Sequence, residues 1–502
     1  MPGSGVGRIC GGERKMGKEK ETFFTKDKTF YRDLFRMLAV VALQNIVAYS
    51  VNMADNIMLG SYSQDALSGA ATVNQIFFMV QQFALAIGNA LVVLASQYWG
   101  QKRLEPIRHL TGIALRLGLI TGAVIVAICA FFPDQVLAIF TTDAGIIEEG
   151  KKYLAIIQWT FLLYILTNVM MAALRSVETV NISFYISLVS LIVNVGINYT
   201  LIFGKFGMPE MGIRGAAVGT LIARILELVI VVVYILRIDK KLHLFAGGSL
   251  WRIDKALRKD YRKVYIPTMC SQVLWGVSVP MQTAILGHLS ADAIAANSVA
   301  TTFYQYLKVV VIAMSSVSSV LIGRAIGRGN LARVKSDARS LTLIDVIIGV
   351  ILGLALIALR KPLLSLYSLS DNATVMALHL IVIMGFVMIG MSYQMPVSFG
   401  IIQGGGNVKF TMKMNLISTW LIVMPLSFMA AFWWQWPVEA VVVVIQSDQF
   451  FKGIPTFIHF RSYKWITKLT REDEGAQGGE SNAQEGEKAV QVKDQDAQSG
   501  EK

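Results

Sequence analysis

The chain has 502 residues, of which 54% are hydrophobic and 16% charged, and its mean hydropathy is +0.54. An ordinary soluble domain is about 25% charged, and segments such as 229–236 and 346–359 would expose large apolar patches in water. The composition therefore excludes a soluble globular protein, a disordered chain and a nucleic-acid binder, despite the net charge of +13. It indicates an integral membrane protein.

Cysteine and histidine usage indicates neither a disulfide framework nor a metal cluster. Three cysteines are scattered along the chain, and the five histidines show no HExxH or comparable spacing. Residues 1–30 lack the apolar core of a secretory signal. Met16 begins a more ordinary start, so residues 1–15 are either a start-site artefact or a flexible tail. We expect no cofactor, no nucleic-acid partner and no obligate protein partner.

Twelve apolar segments, each close to the 20 or so residues that cross a hydrocarbon core, follow one another along the chain. Because backbone groups cannot stay unpaired in lipid, each segment must be a helix. The predicted spans are 36–60, 69–97, 110–132, 153–174, 182–204, 213–236, 262–287, 293–322, 340–360, 374–402, 408–433 and 438–459. The sequence therefore predicts an all-α polytopic membrane protein.

Lysine and arginine concentrate in alternate connections, which sets the orientation of the spans. The segment 1–35 and the connections after the second, sixth and eighth spans are rich in basic residues, whereas the connections on the other side hold two at most. Both termini are therefore predicted to be cytoplasmic, with the chain in the plasma membrane, the inner membrane of a bacterium. Loops that face anionic lipid account for the positive net charge.

The spans divide the chain into five segments. They are a basic amino-terminal segment (1–35), a six-helix bundle (36–237), a linker (238–261), a second six-helix bundle (262–460) and a cytoplasmic tail (461–502). Leu250, Trp251, Ile253 and Leu257 lie among basic residues in the linker, a pattern that predicts an amphipathic helix on the membrane surface. The alternative is a solvated linker. The polar, glycine-rich tail is predicted to be largely disordered.

The two bundles repeat one pattern at an offset of 227 residues. LGSYSQDAL and LGHLSADAI pair Gly60 with Gly287, and the same offset pairs Gly100 of YWGQKR with Gly327 of AIGRGN. Each half therefore holds six spans in one order. The repeat predicts two pseudo-symmetric bundles with a cavity between them.

The stretches ADNIMLG, ALRSVETVN, SLIVNVGINYTLIFG and MGIRGAAVGTLIA, together with the loops YWGQKR and AIGRGN, resemble those of the multidrug and toxic compound extrusion (MATE) family. The resemblance covers roughly residues 30–468. It implies two six-helix bundles that form a V, and efflux of organic compounds driven by sodium or proton entry.

Asp55 lies in the outer half of the first span, where an ionisable side chain is costly and is by default a functional candidate. Asn194 and Asn198 share one face of the fifth span at i, i+4 spacing, and Thr220 lies two turns into the sixth. These four residues are expected at similar depth, and their all-oxygen set suits a hard cation. The alternative for each is interhelical hydrogen bonding, worth about 0.6 kcal/mol.

By the resemblance, these four residues correspond to the family's ion-coupling and cation-binding site, a possible sodium site, with sodium or a proton as the coupling ion. Two positions depart from the family's pattern. Many relatives carry a second carboxylate where this chain has Asn198, and one carboxylate balances a single monovalent cation. Many also have proline where the repeat places Val40 opposite Pro267, so a bend in the first span loses its usual cause.

The remaining intramembrane acids are interpreted as structural or stay unassigned. Glu227 has Arg224 three residues before it, and Asp448 has Lys452 four residues after it, spacings that predict neutralising pairs. Asp345 in the ninth span has no assignment. The seventh, eighth and tenth spans contain no acid, so coupling is predicted in the amino-terminal bundle.

Amide and methionine side chains adapt to varied ligands, and seven are candidates for the wall of a substrate cavity. They are Gln75, Gln81, Gln82, Asn168, Met269, Met281 and Met395. The alternative for the methionines is simple packing or contact with lipid. Five prolines lie in the spans of the carboxyl-terminal half, which predicts that kinks concentrate there.

These observations favour a secondary active antiporter, with no catalytic residues, that exports an amphipathic organic compound in exchange for sodium ions or protons. The compound is expected to be cationic. The alternative is a lipid-linked or oligosaccharide flippase of the same broad superfamily, which a cavity dominated by arginine would favour. No phosphate loop or paired carboxylates support an enzyme, and no filter-like segment supports a channel.

Overall fold

The computed structural model describes residues 23–471 except 246–247, 249, 251, 253, 288–290 and 366–369, and every regular element within them is a helix. The α-helices are α1 (Lys28–Tyr62), α2 (Gln64–Gly100), α3 (Leu104–Phe131), α4 (Pro133–Ala138), α5 (Ala144–Ser176), α6 (Asn181–Ile202), α7 (Ile213–Arg237), α8 (Lys255–Gly287), α9 (Ala291–Gly327), α10 (Leu331–Ala358), α11 (Arg360–Leu364), α12 (Asp371–Met395), α13 (Val408–Met414), α14 (Met424–Phe428), α15 (Val438–Gln446) and α16 (Asp448–Ser462). Three π-helical segments are π1 (Pro396–Ile402), π2 (Asn415–Val423) and π3 (Met429–Trp433).

Polar side chains cap the helices where the chain enters a new span. Asp27, Ser63 and Asp143 accept backbone N–H groups from the first turns of α1, α2 and α5. Asn330 and Ser370 do the same for α10 and α12. These bonds satisfy N–H groups that no carbonyl of the same helix can reach, so these five helices begin at defined residues.

The helices form two halves in chain order. In the amino-terminal half, α2 packs against α3 and α5, α5 against α7, and α6 against α1 and α7. In the carboxyl-terminal half, α9, α10 and α12 pack against one another, and α16 packs against α12. Contacts of α2 with α8 and α9, and of α1 with α9, join the halves.

Ten helices in the described part of the chain are long and apolar enough to cross a membrane. The two other predicted spans coincide with α8, which begins with several basic residues, and with α15 and α16, which Ser447 separates. Ile120, Val124 and Ile128 are exposed on α3 at four-residue spacing. An apolar stripe of this kind on an outward helix face is what a lipid-facing helix presents.

Helix irregularities concentrate in the carboxyl-terminal half. π1 begins at Pro396, and Pro425 lies in the short α14 between π2 and π3. Proline removes an i→i−4 hydrogen bond, and a π-helical turn is one way in which the backbone accommodates the loss. By contrast, α1 continues as an unbroken α-helix through Val40. π-helical backbone thus occurs near two of the five prolines, whereas α8 and α16 continue as α-helices through Pro267, Pro280 and Pro455. The concentration of kinks stays a prediction.

The halves meet closely where α2 and α9 end, a region that we call the basic end because the arginine-rich connections lie there. A Cβ atom on Gly100 would lie 2.2 Å from the Arg324 carbonyl oxygen, and one on Gly327 would lie 2.0 Å from the Gln97 carbonyl oxygen. Gly100 and Gly327 are the pair that the repeat matches. Only residues without a Cβ allow this approach, so the two halves close against each other at the basic end.

Ion pairs reinforce this closure. The Arg324 guanidinium lies 2.5 Å from Glu178 and 3.7 Å from Asp33, and so links α9 to the amino-terminal half. Arg333 at the start of α10 pairs with Asp27, the residue that caps α1. The chain just before α1 therefore reaches across to the other half.

Part of the predicted segmentation lies outside the described residues. Residues 1–22, most of the tail (472–502), and Trp251 and Ile253 of the linker fall there. The described linker residues Leu242, Leu244 and Leu250 are buried. The amphipathic surface helix and the disordered tail stay predictions.

Candidate ion-coupling site and substrate cavity

Four polar residues on three helices form one hydrogen-bonded chain. The Asn198 side-chain Nδ2 donates to Asp55 Oδ1 at 2.6 Å and to Asn194 Oδ1 at 3.3 Å. The Asn194 Nδ2 donates to Thr220 Oγ1 at 3.2 Å. The structure thus brings together the four residues that the sequence analysis placed at similar depth, and we call this set the Asp55 cluster.

The Asp55 cluster is buried inside the amino-terminal half. Asp55 is 9% exposed, and Asn194 and Asn198 are 0% exposed. Gly219 makes room for the Asn198 amide, because a Cβ atom there would lie 1.9 Å from Asn198 Oδ1. That oxygen accepts no hydrogen bond from the described residues. The cluster therefore offers one unused acceptor oxygen beside the carboxylate.

The charge of Asp55 has no direct partner in the described part of the chain, since no basic nitrogen lies within 4 Å of its carboxylate. Arg224, one turn beyond Thr220 on α7, acts on Asp55 only at longer range. Its guanidinium instead lies 2.8 Å from Glu227 Oε2 and 5.1 Å from the centre of the Tyr164 ring. The carboxylate is thus held by neutral groups.

The donor set suits one monovalent charge. A carboxylate, two amide oxygens and a hydroxyl are the hard oxygen ligands that a sodium ion accepts, and the carboxylate alone accepts a proton. Within the described residues, no group of three or more His, Cys, Asp or Glu side chains could hold a metal ion. The Asp55 cluster, with its single carboxylate, is therefore matched to one cation of charge +1.

The other intramembrane acids fall into two kinds. Glu227 pairs with Arg224, and Asp448 lies 2.5 Å from the Lys452 ammonium, so both predicted pairs are confirmed. Asp448 also accepts hydrogen bonds from the hydroxyls of Ser418 and Thr419. Asp345 is 1% exposed, and neither of its carboxyl oxygens has a hydrogen-bond partner in the described residues.

A cavity of about 300 Å³ lies between the halves. Its wall is formed by helices of both, including α1, α2, α5 and α7 on one side and α8, α9, π1 and α16 on the other. Of the seven predicted cavity residues, Gln82, Asn168 and Met395 line it. The other four, Gln75, Gln81, Met269 and Met281, are not among its described lining residues.

Two charged residues on the cavity wall escaped the sequence analysis. Arg175, in the last turn of α5, and Lys308, in the middle of α9, both line the cavity. Lys308 is the one charged residue in the predicted span 293–322. A lone intramembrane lysine is the same kind of signal as Asp55, and it would have identified this position.

The fold and these features define a polytopic membrane transporter built from two repeated helical bundles. A sequence model of the MatE family matches residues 41–200 and 266–429, one segment in each half and together more than half of the chain. The chain therefore belongs to the MatE family, that is, to the multidrug and toxic compound extrusion transporters.

Relatives match over almost the whole chain. Identity to the probable multidrug resistance protein NorM of Thermotoga maritima is 25% over 446 residues, which cover 88% of this chain and 95% of NorM. An outward-facing structure of a multidrug resistance MATE family transporter matches with a TM-score of 0.79 at 15% identity, over 89% of this chain and 100% of that one. A transporter of the MOP superfamily from Pyrococcus furiosus matches with a TM-score of 0.78 at 16% identity, with the same coverage. For that protein, a reverse polarity of the binding pocket suggests a different function.

These comparisons confirm three predictions. The fold is the twelve-helix arrangement of two six-helix bundles in a V that the structural relatives share. The chain is a multi-pass membrane transporter for small molecules. It belongs to a family of transporters rather than enzymes.

Proposed function

We propose that this protein is a secondary antiporter of the plasma membrane that exports amphipathic organic compounds in exchange for sodium ions or protons. The observation that carries the proposal is the buried carboxylate of Asp55, which neutral groups of α6 hold in place. A buried charge of this kind is stable only when something neutralises it. A cation that enters from outside supplies the neutralising charge once in each transport cycle.

Neutralisation of Asp55 changes contacts on three helices. The Asn198 bond to Asp55 joins α1 to α6, and the Asn194 bond to Thr220 joins α6 to α7. One turn further along α7, Arg224 lines the cavity. A cation at Asp55 therefore alters both the packing of these helices and the electric field at the cavity wall. If ion and substrate favour opposite conformations, each must weaken the binding of the other.

The closed basic end supports a direction for this cycle. Under the proposed orientation, with both termini in the cytoplasm, the contact of Gly100 with Arg324 and Gly327 closes the cytoplasmic side. The cavity and the Asp55 cluster are then loaded from the opposite side. This state is the one in which an exporter releases its substrate and takes up the coupling ion.

A flippase for lipid-linked compounds is the second candidate. Four basic side chains line the cavity, Arg175, Arg224, Lys308 and Lys452, against two acidic ones, and a basic wall suits a phosphate-bearing lipid. The Asp55 cluster favours the antiporter, because ion coupling requires a buried group that titrates or binds a cation.

The test is dye efflux from proteoliposomes that contain the full-length protein. Vesicles loaded with rhodamine 123 (a cation) or fluorescein (an anion) receive an inward sodium gradient or an inward proton gradient in separate experiments. We expect one gradient to accelerate efflux in the wild type and in Asp345→Asn, but not in Asp55→Asn. Asp345→Asn is the matched control, because it removes a buried carboxylate that lies outside the Asp55 cluster.

Two outcomes contradict the proposal. One is gradient-driven efflux that is unchanged in Asp55→Asn. The other is wild-type protein that exports neither dye under either gradient, yet speeds the flipping of an NBD-labelled anionic lipid, which favours the flippase.

A further inference from the structure

The charges on the cavity wall do not balance. Six charged side chains line the cavity in the described part of the chain, four basic and two acidic, which leaves a net charge of +2. Glu227 is neutralised by Arg224 at 2.8 Å, and Asp448 by Lys452 at 2.5 Å. The excess therefore resides on the two remaining cations.

Those two cations are Arg175 and Lys308, which face the cavity from opposite halves. No carboxylate of the described residues lies within 4 Å of either. The Nε atom of Arg175 is buried and has no hydrogen-bond partner within the described residues. The Lys308 ammonium lies 5.0 Å from the centre of the Trp275 ring, a cation–π contact that stabilises the charge but does not neutralise it.

An unpaired cation inside the membrane is costly unless a counter-ion or hydrogen-bond acceptors reach it. In this cavity the protein itself supplies no counter-ion to Arg175 or Lys308 within the described residues. An acidic group of a bound ligand would supply both a counter-ion and hydrogen-bond acceptors, because its charged oxygens accept charge-assisted hydrogen bonds. A positively charged ligand would instead be repelled by both side chains.

The rest of the wall suits the uncharged body of such a ligand. Trp275, Phe399 and Met395 offer apolar and aromatic surface, while Gln82 and Asn168 offer adaptable amides. A volume of about 300 Å³ is at the lower end of the range for sites that hold drug-sized ligands. The wall thus combines two cationic side chains, Arg175 and Lys308, with an apolar surface.

We infer that the exported substrates are amphipathic organic anions, for whose carboxylate, sulfonate or phosphate groups Arg175 and Lys308 are the counter-ions. This inference rests on the proposed antiport function and replaces the sequence-based expectation of a cationic substrate. The same anionic chemistry is found in soluble metabolites or drugs and in lipid headgroups.

An anionic substrate changes how transport responds to voltage. Outward movement of an anion and inward movement of a cation both carry charge down an inside-negative potential. Exchange of one organic monocation for one inward cation would move no net charge. An inside-negative potassium diffusion potential should therefore accelerate export of an anion through this protein.

The experiment uses rhodamine 123 and fluorescein, which share a xanthene ring system and differ in charge. In the proteoliposomes described above, we expect ion-dependent efflux of fluorescein that is faster at inside-negative potential, and little efflux of rhodamine 123. Binding of fluorescein to the purified full-length protein, measured by fluorescence anisotropy, should weaken about tenfold or more in Arg175→Gln and in Lys308→Gln.

Three further variants separate charge from folding. Lys308→Arg should restore binding, because it keeps the charge, whereas Lys308→Glu should shift the preference from fluorescein toward rhodamine 123. The matched control is Lys259→Gln, which removes an exposed lysine of α8 outside the cavity and should leave binding unchanged.

Ion-dependent efflux of rhodamine 123 without fluorescein overturns the inference but leaves the antiporter intact. If neither dye shows ion-dependent efflux, both the inference and the proposed antiport are contradicted. Equal fluorescein affinity in the wild type and in Arg175→Gln and Lys308→Gln also overturns the inference. Flipping of NBD-phosphatidylglycerol that fluorescein inhibits supports a lipid source of the anion, and fluorescein efflux without flipping supports a soluble source.

Discussion

The amino-terminal and carboxyl-terminal halves share one order of helices, and each contains a buried acid paired with a base on the same helix, Glu227 with Arg224 and Asp448 with Lys452. They differ in the buried carboxylate that has no basic partner among the described residues, Asp55 in one half and Asp345 in the other. In the amino-terminal half, Asp55 is bonded across helices by the neutral Asn198. In the carboxyl-terminal half, Asp448 is neutralised by Lys452 on the same helix, and Asp345 has no hydrogen-bond partner in the described residues. The two halves therefore repeat the order of helices but not the side chains that surround their buried carboxylates. Asp448 also bonds across helices, to Ser418 and Thr419, but Asp55 is the carboxylate that links helices without a basic partner within the described residues, and so its neutralisation is the one suited to move them.

The halves also differ in helix regularity. α1 is unbroken over 35 residues, whereas π1, π2 and π3 interrupt the spans of the carboxyl-terminal half. The Asp55 cluster thus lies on uninterrupted α-helices, and the π-helical segments belong to the half on the other side of the cavity. α1 also has Val40 at the position that the repeat matches with Pro267, so the first span contains no proline there to bend it.

Loss of one partner of the buried Asp448–Lys452 pair should have the largest effect on stability. Lys452→Met leaves a buried carboxylate unpaired, and we expect destabilisation of about 3–5 kcal/mol, seen as a lower melting temperature in detergent. The double variant Asp448→Leu/Lys452→Met should recover most of the loss. A single variant that melts like the wild type would show that the pair contributes little.

A substitution in the contact that closes the basic end should have the next largest effect. Gly100→Val places side-chain atoms where the Arg324 carbonyl now lies, and overpacking of this kind costs about 1–3 kcal/mol. We expect the closed state to lose population, measured as increased labelling of cysteines introduced near the basic end. Gly453→Ala, at an open position of α16, is the control. Unchanged labelling in Gly100→Val would contradict the tight contact.

Asp345 should behave in the opposite way to Asp448. Because its carboxyl group is buried and has no hydrogen-bond partner in the described part of the chain, Asp345→Leu removes a group that is costly to bury. We expect the melting temperature to stay level or rise by the equivalent of about 1 kcal/mol. Ion-dependent efflux should persist. A large loss of stability or of ion-dependent efflux would show that Asp345 has a partner in another conformation. The two halves would then differ less in how they hold their carboxylates.

The smallest effect is expected at the contact before α1. The hydrogen bond from the Thr29 hydroxyl, with help from Arg333, lowers the pKa of Asp27 to about 2. A carboxyl group with a lowered pKa stabilises the folded protein above pH 4, and the contribution is lost as the pH falls from about 4 to 2. Asp27→Ala should cost about 1 kcal/mol at pH 7. The melting difference from the wild type should shrink at pH 3, and a constant difference would contradict this role.

Much of this arrangement could be predicted from spacing along single helices. The i, i+4 pair of Asn194 and Asn198 and the pairs of Glu227 and Asp448 with nearby bases depend only on helical periodicity. The meeting of Asp55 with α6 and α7 followed from comparing depths along the spans. These features depend on spacing along one helix or on depth along a span, and both can be read directly from the sequence.

Features set by helix rotation could not be predicted in this way. Whether Gln81 or Gln82 faces the cavity depends on how α2 is rotated against its neighbours, because consecutive residues point about 100° apart around a helix. The inward position of Arg175 and the contact of Gly100 with Gly327 likewise arise from packing between halves. The sequence marks these residues as unusual, but only the tertiary structure places them.

The most direct test of the central claim is to measure cation entry itself. Proteoliposomes with fluorescein inside would be assayed for uptake of radioactive sodium, and for proton entry with a pH-sensitive dye, in parallel with efflux. We expect the wild type to take up one of these cations in step with efflux, and Asp55→Asn to take up neither above the level of empty vesicles. Equal substrate-dependent cation uptake in the wild type and Asp55→Asn would contradict the claim.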